Sequence, residues 1–215
     1  MIEIHAFSTP NSIKVPVALE EMGIAYELKR VNVRQGEQKS DSFLSLNANG
    51  KVPVLVDPHG PNGQRLVLTE SAAILIYLAE KSQTLLLASG AARARVFEQL
   101  FFHASGVGPA FGQSGFFQKQ AAEHVPFAIA RFSTEANRVM VVLNDVLATS
   151  KFTAGDEYTI ADIAHFGWLW RSEFAGIDLN EFPHTRRWYD AVLARPAVAR
   201  AVQRVTALVP QASTN

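Results

Sequence analysis

Asn49-Gly50-Lys51-Val52-Pro53-Val54-Leu55-Val56 and, thirteen positions on, Thr69-Glu70-Ser71-Ala72-Ala73-Ile74-Leu75-Ile76-Tyr77-Leu78-Ala79-Glu80-Lys81 decide how this chain is read. In the first stretch a proline opens a β-branched run suited to a buried strand. Proline has no N–H for a sheet ladder, so Pro53 belongs at a strand start or an edge. In the second stretch an acid–serine pair stands before an apolar helix, a common capping arrangement. Each stretch has two readings. Pro53 is an ordinary strand-initiating proline, or a cis bond before it turns Val52 outward and frees its N–H and C=O to pair with an extended peptide. Glu70 and Ser71 simply cap a helix, or the unpaired N–H groups there receive a carboxylate while Glu70 accepts from the amine beside it. Spacing alone leaves both pairs of readings open.

Outward from these stretches, Ile2 to Phe7 reads as a strand, and Asn11 or Ser12 as the cap of a helix that runs to about Met22. Tyr26 to Val33 alternates as a half-buried strand does. Arg34 to Ser40 reads as a polar loop and Ser42 to Leu46 as one or two helical turns. Pro58 to Gly63 is a turn cluster, and Arg65 to Leu68 a hairpin partner for the strand after Pro53. The order β-α-β, then β-β-α, gives an α/β domain: a four-stranded mixed sheet with helices packed on it, the thioredoxin-like plan. Past about residue 90 the strand signals stop. Ile129, Phe132, Ala136, Val139, Met140, Leu143, Val146 and Leu147 recur at helical spacing. Thr159-Ile160-Ala161-Asp162 has the form of a capping box, with Asp for the usual Glu or Gln. Pro183 and Pro196 each open a further helix. The expected division is a thioredoxin-like domain at 1–82, a linker at 83–90, an all-α helical bundle at 91–208 and a polar tail at 209–215.

The composition narrows the chemistry. Over 215 residues, 20 basic side chains balance 20 acidic ones. There is no dominant charge block, which argues against nucleic acid or an anionic membrane as partner. There is no cysteine, which excludes disulfides, thiolate metal sites and cysteine nucleophiles. Any thiol chemistry must arrive with a ligand. The six histidines, at 5, 59, 103, 124, 165 and 184, show no metal-ligand spacing, and no metal is expected. With no signal-peptide pattern and no long apolar run, the chain reads as cytoplasmic.

Three further groups have two readings each. Ser8-Thr9-Pro10-Asn11-Ser12 lies between the first strand and the first helix, where a thioredoxin-like fold keeps its reactive group. It offers hydroxyls and an amide, with no base placed locally to make a nucleophile. It is a capping loop, or its donors stabilise a thiolate. Phe101, Phe102, Phe111, Phe116 and Phe117 are interleaved with Gly106, Gly108, Gly112 and Gly115. They form a core stripe, or an irregular wall in which Phe111 lines a second-substrate pocket. Arg131 is a solvated arginine or a ligand cation.

Taken together, Val52-Pro53, Glu70-Ser71 and the helix from Ala72 to Lys81, with the 159–162 box, resemble the cytosolic glutathione transferases over about residues 1 to 206. Thr9-Pro10-Asn11, Leu19-Glu20-Glu21, Gly36-Glu37-Gln38, Phe43-Leu44, the Gly106 to Gln113 run and Val125 to Phe132 resemble the bacterial Nu class, relatives of the fungal prion-forming nitrogen regulator. The resemblance implies glutathione as co-substrate. Thr9 and Asn11 would face its sulfur, and Val52, beside Pro53, would pair with the cysteinyl backbone. Glu70 and Ser71 would hold the γ-glutamyl end, Gln38 and Lys51 the glycyl end, and Arg131 would reach the ligand. It further implies a homodimer that reduces disulfides, with weak conjugating and peroxidase activity. Alternatives on the same fold are a regulatory protein without turnover and an isomerase or dehalogenase. Ser12, where the class has glycine, is a departure beside the sulfur-facing pair, as are Thr69 and Gln83 around the second stretch.

Overall fold

A computed structural model of the protein describes residues 1–210. Its elements alternate first and then become helical: β1 (Ile2–Ala6), α1 (Lys14–Glu21), β2 (Tyr26–Arg30), α2 (Asp41–Leu44), β3 (Val54–Asp57), β4 (Leu66–Leu68) and α3 (Ser71–Ser82). After these come α4 (Gly90–Phe102), α5 (Gly108–Lys119), α6 (Pro126–Thr149), α7 (Ile160–Leu169), α8 (Pro183–Leu193) and α9 (Pro196–Thr206). No helix among the described residues is long and apolar enough to cross a membrane.

The chain divides into two compact units, Met1–Ser82 with residues 195–210, and Gln83–Ala194. In the first unit the sheet order is β2-β1-β3-β4. β1 and β2 are parallel, joined by the α1 crossover that parallel pairing requires, while β1–β3 and β3–β4 are antiparallel. All four residues of β3 are buried, as expected for an inner strand covered on both faces. Phe43 of α2 packs on Val31 and Val54, and α1 packs against α3.

The last helix corrects the expected division, which placed 91–208 in one helical domain. α9 packs along α1 in the first unit, with Val198, Ala201 and Val205 fully buried. Arg195 holds Glu21 through Nε and Nη2, at 2.6 and 2.9 Å. Arg200 and Arg204 both donate to Glu20, and the Arg204 guanidinium lies 4.0 Å from the centre of the Tyr26 ring. Of the expected tail at 209–215, residues 211–215 lie outside the described residues.

In the second unit every residue of α7 is buried, as a helix apolar on all sides demands. Its start is the capping box read from the sequence, with Thr159 and Asp162 satisfying each other's backbone groups. Asp162 also accepts from the Thr153 N–H, the Thr153 hydroxyl and the indole N–H of Trp188 at 2.8 Å. The glycines around Phe111 do not break the helix into an irregular wall. Residues 103–107 form one π-helical turn and α5 then runs unbroken. Gly108 and Gly112 pass close beneath the Trp168 indole, where a Cβ would come within 3.2 and 3.4 Å of it. Their small size serves close helix packing. Phe111 itself is fully buried, edge-on to Trp168 at 6.2 Å between ring centres. It is a core residue, and the expectation that it lines a substrate pocket is corrected accordingly.

Candidate active site

Sheet register gathers the first pieces. β1 pairs with β3 through Glu3–Val56, Ile4–Leu55 and His5–Val54. Two places further on, that register sets Phe7 opposite Val52, so the loop after β1 and the turn before β3 meet at one end of the sheet. The Val52–Pro53 bond is cis. Pro53 lies just outside β3, and neither the N–H nor the C=O of Val52 has a hydrogen-bond partner among the described residues.

The turn is braced from behind. Asn47 Nδ2 donates to the C=O of Lys51 at 2.7 Å, and Asn47 Oδ1 accepts from the Asn49 N–H at 3.0 Å. Gly50 is left-handed, with φ +62°, and a Cβ there would meet Lys39 Nζ at 2.7 Å and the Gln38 carbonyl at 3.1 Å. Only glycine lets the 3₁₀ turn at Glu37–Lys39 lie against it. The Gln38 backbone thus lies against Gly50, the residue before Lys51. Its Nε2 donates to the Val33 C=O at 3.4 Å, while its Oε1 is buried without a partner among the described residues. That oxygen can accept a peptide N–H. Lys51 is exposed.

The loop after β1 departs from the expected cap. α1 begins at Lys14 with Ile13 at its N-cap position and no side-chain cap. Asn11 and Ser12 are engaged elsewhere. Thr9 donates its hydroxyl to Ser12 Oγ at 2.9 Å and accepts the Ser12 N–H at 3.2 Å. Ser12 Oγ also accepts the Phe7 N–H at 3.4 Å. The serine at this position therefore fastens the loop to the end of β1. Asn11 Oδ1 accepts from Lys14 Nζ at 2.7 Å.

Lys14 is the residue that sequence reasoning missed. It is 1% exposed, and its Nζ also donates to Ser71 Oγ at 3.2 Å, linking the loop to the start of α3. Burial pushes its ammonium down from the ordinary value of 10.5 to about 7, against the opposing pull of the Glu70 carboxylate. Its signal was a single charge inside the run Ile13 to Leu19, otherwise apolar. Glu70 is exposed and sits in the left-handed region with φ +63°, its C=O accepting the first helical N–H from Ile74 at 3.0 Å. A non-glycine residue held there costs on the order of 1–3 kcal/mol, and such residues cluster at functional sites. Arg131 is exposed on α6, in the second unit. No group of three or more metal-ligating side chains that could hold an ion occurs among the described residues.

The first unit thus offers a polar loop with the hydroxyls of Ser8, Thr9 and Ser12 and the Asn11 amide, a backbone edge at Val52 and a helix start carrying Ser71. Residues 9–81 match the glutathione S-transferase N-terminal domain, and residues 128–196 the glutathione S-transferase C-terminal domain. Over 204 residues the chain is 37% identical to the disulfide-bond oxidoreductase YfcG of Escherichia coli, covering 94% of each. It belongs to the glutathione S-transferase family. A glutathione transferase family member from Pseudomonas fluorescens, solved with two glutathione molecules bound, is 41% identical with a TM-score of 0.89, over 94% of this chain and 92% of that one. A glutathione transferase from Pseudomonas putida, solved with one glutathione disulfide per subunit, is 38% identical with a TM-score of 0.87, over 94% and 90%. The expected fold, family and glutathione-linked chemistry stand with these transferases.

Proposed function

We propose that this glutathione S-transferase reduces disulfides with glutathione. One observation carries the reading: Lys14 ties Asn11, in the loop after β1, to Ser71, at the start of α3. A tripeptide whose γ-glutamyl carboxylate sits at Ser71 can then present its central thiol to Thr9 and Asn11. The chain has no cysteine, so glutathione supplies the sulfur.

The steps follow from thiol–disulfide exchange. The Asn11 amide, together with the Thr9 hydroxyl once it turns from Ser12 Oγ to the sulfur, favours the glutathione thiolate over the thiol. The thiolate attacks one sulfur of the substrate disulfide. A new S–S bond forms, the old one breaks, and the substrate's other sulfur leaves as a thiolate that takes up a proton. A second glutathione thiolate attacks the glutathione sulfur of this mixed disulfide. Glutathione disulfide forms, and the remaining substrate thiol is released. Two glutathione molecules are oxidised and one disulfide is reduced. Val52 pairs with the cysteinyl backbone, Glu70 with the γ-glutamyl amine, and Gln38 and Lys51 with the glycyl end. The same thiolate supports weak conjugation and peroxide reduction. A homodimer working in the glutathione-rich cytoplasm fits this chemistry, and the exposed Phe101 and Phe127 support association between copies. Sedimentation at micromolar concentration tests it, and a strict monomer contradicts it.

The deciding experiment measures glutathione-dependent reduction of a small disulfide by Thr9→Ala and Asn11→Ala. Each variant should lose about 10- to 100-fold in rate while glutathione affinity changes little. Wild-type rates in both would remove the assigned roles.

A further inference from the structure

We infer that Lys14 is the positioning residue of this site: its buried ammonium, bound at once to Asn11 Oδ1 (2.7 Å) and Ser71 Oγ (3.2 Å), sets both groups as donors toward the ligand and places positive charge behind the thiolate. The inference rests on the glutathione reading above and deepens it.

The donor and acceptor capacity of the three side chains fixes their orientation. An ammonium has donors only, so the Asn11 atom it touches must be the carbonyl oxygen. The amide cannot flip without setting its own N–H groups against that ammonium. The two N–H donors of Asn11 are therefore directed away from Lys14. Ser71 Oγ is an acceptor in its bond to Lys14, which leaves its hydrogen to donate. One cation thus orients the donor proposed for the sulfur and the donor proposed for the carboxylate. Without it Asn11 is free to present its oxygen, which would repel a thiolate.

Burial supports a role beyond orientation. Lys14 is 1% exposed, and a buried cation is costly unless charge compensates it. Glu70 is the charged group that acts on it. Arg195, just before α9, and Arg200 and Arg204 within it bind Glu21 and Glu20 at the other end of α1. With burial holding the ammonium near 7, an arriving glutathione thiolate and carboxylate favour its protonated form. Binding near neutral pH should therefore draw a proton onto Lys14, alongside release of the thiol proton.

The test compares wild type with Lys14→Met, which keeps the length and removes the charge. Three readouts are used: the rate of disulfide reduction, the ultraviolet titration of bound glutathione thiolate, and the melting temperature. The expected result is a folded variant with at least about a tenfold loss in kcat/KM and a bound thiol that titrates about one pH unit higher. A merely structural lysine would move only the melting temperature. A folded variant with wild-type rate and wild-type thiolate titration overturns the inference while leaving the glutathione reading intact. If Lys14→Met does not fold, wild type decides. A crystal structure with bound glutathione should place the Asn11 amide nitrogen toward the sulfur and Ser71 Oγ on the carboxylate, with Lys14 Nζ on Asn11 Oδ1; Asn11 Oδ1 facing the sulfur, or Lys14 away from both side chains, overturns the inference. Wild type that neither binds glutathione nor reduces disulfides refutes the underlying reading, a failure visible before any variant is made.

Discussion

Phe174 packs against the backbone of Gly115 so closely that a Cβ at that position would come within 2.1 Å of its ring. The contact joins α5 to the short 3₁₀ turn at Ser172–Ala175, which is also held by Ser114 and Gln118, both donating to the Ala175 C=O. In Gly115→Ala the ring or the helix must move, because the obstructing atoms belong to a rigid aromatic. Overpacking of this kind costs about 1–3 kcal/mol or more, despite the better helix propensity of alanine. Urea denaturation should show a lower midpoint. Adding Phe174→Leu should recover part of the loss, since the two positions are in contact and their effects are not additive.

Asp162 is the most heavily used acceptor in the second unit. It takes hydrogen bonds from backbone or side chain of Thr153, Thr159 and Trp188. Removing it strands several buried donors at once, each worth about 1–3 kcal/mol when unsatisfied. Asp162→Ala is expected to lose about 3 kcal/mol or more and to express poorly. Trp188→Phe, which strands nothing on the carboxylate's other contacts, should lose markedly less. Thermal melts of the pair check the order.

Asp57 gives an acid-side prediction. Burial pushes its carboxyl up, but hydrogen bonds from Lys81, Tyr77 and the His59 N–H outweigh this and hold it below the usual carboxylate range. The folded value lies below the unfolded one, so the contribution is complete above the unfolded pKa of 3.8 and is lost as pH falls through the folded pKa. Asp57→Asn should cost about 1–3 kcal/mol at neutral pH and should flatten the stability loss below pH 4. Denaturation followed from pH 7 to about pH 2 measures both.

Lys14 gives the opposite slope. The unfolded chain keeps this proton up to about 10.5, the folded, ligand-free chain only to about 7. Between those limits the unfolded state binds more protons, so stability rises with pH. The rise belonging to this one group amounts to a few kcal/mol. Lys14→Met should be the more stable protein near pH 7 and should lack that rise. Urea midpoints taken every pH unit from 6 to about 10 decide it, provided the variant and wild type are compared without glutathione.

Much of this architecture is legible because its signals are local. The β-branched run Val54 to Val56 after a proline suits a buried strand, Thr159 and Asp162 are three positions apart, and Pro183 and Pro196 open helices because their missing N–H costs nothing there. What escapes the sequence depends on distant partners. Lys14 looks like a solvated helix lysine until Ser71, 57 positions on, comes to 3.2 Å. Asn11 and Ser12 look like caps until a buried ammonium and a hydroxyl claim them. Gly108, Gly112 and Gly115 look like helix breakers until Trp168 and Phe174 are seen to need their surface. Arg195 finds Glu21 across 174 positions of chain, a pairing no periodicity announces. Among the proposed site residues, Val52, Glu70 and Ser71 are visible from pattern, whereas Lys14 is visible only from packing.

The helix from Pro196 to Thr206 has a consequence for the order in which this molecule is made. Residues 1–82, which carry Thr9, Asn11, Val52 and Ser71, leave the ribosome before the helical unit, yet the face of α1 that α9 covers stays open until residues 196–206 emerge. Domains that are continuous in sequence can close as they are synthesised. Here the earlier-made unit waits for a helix made after the helical unit, so a nascent chain stalled before residue 195 carries a complete helical unit and an unfinished thiol-binding one.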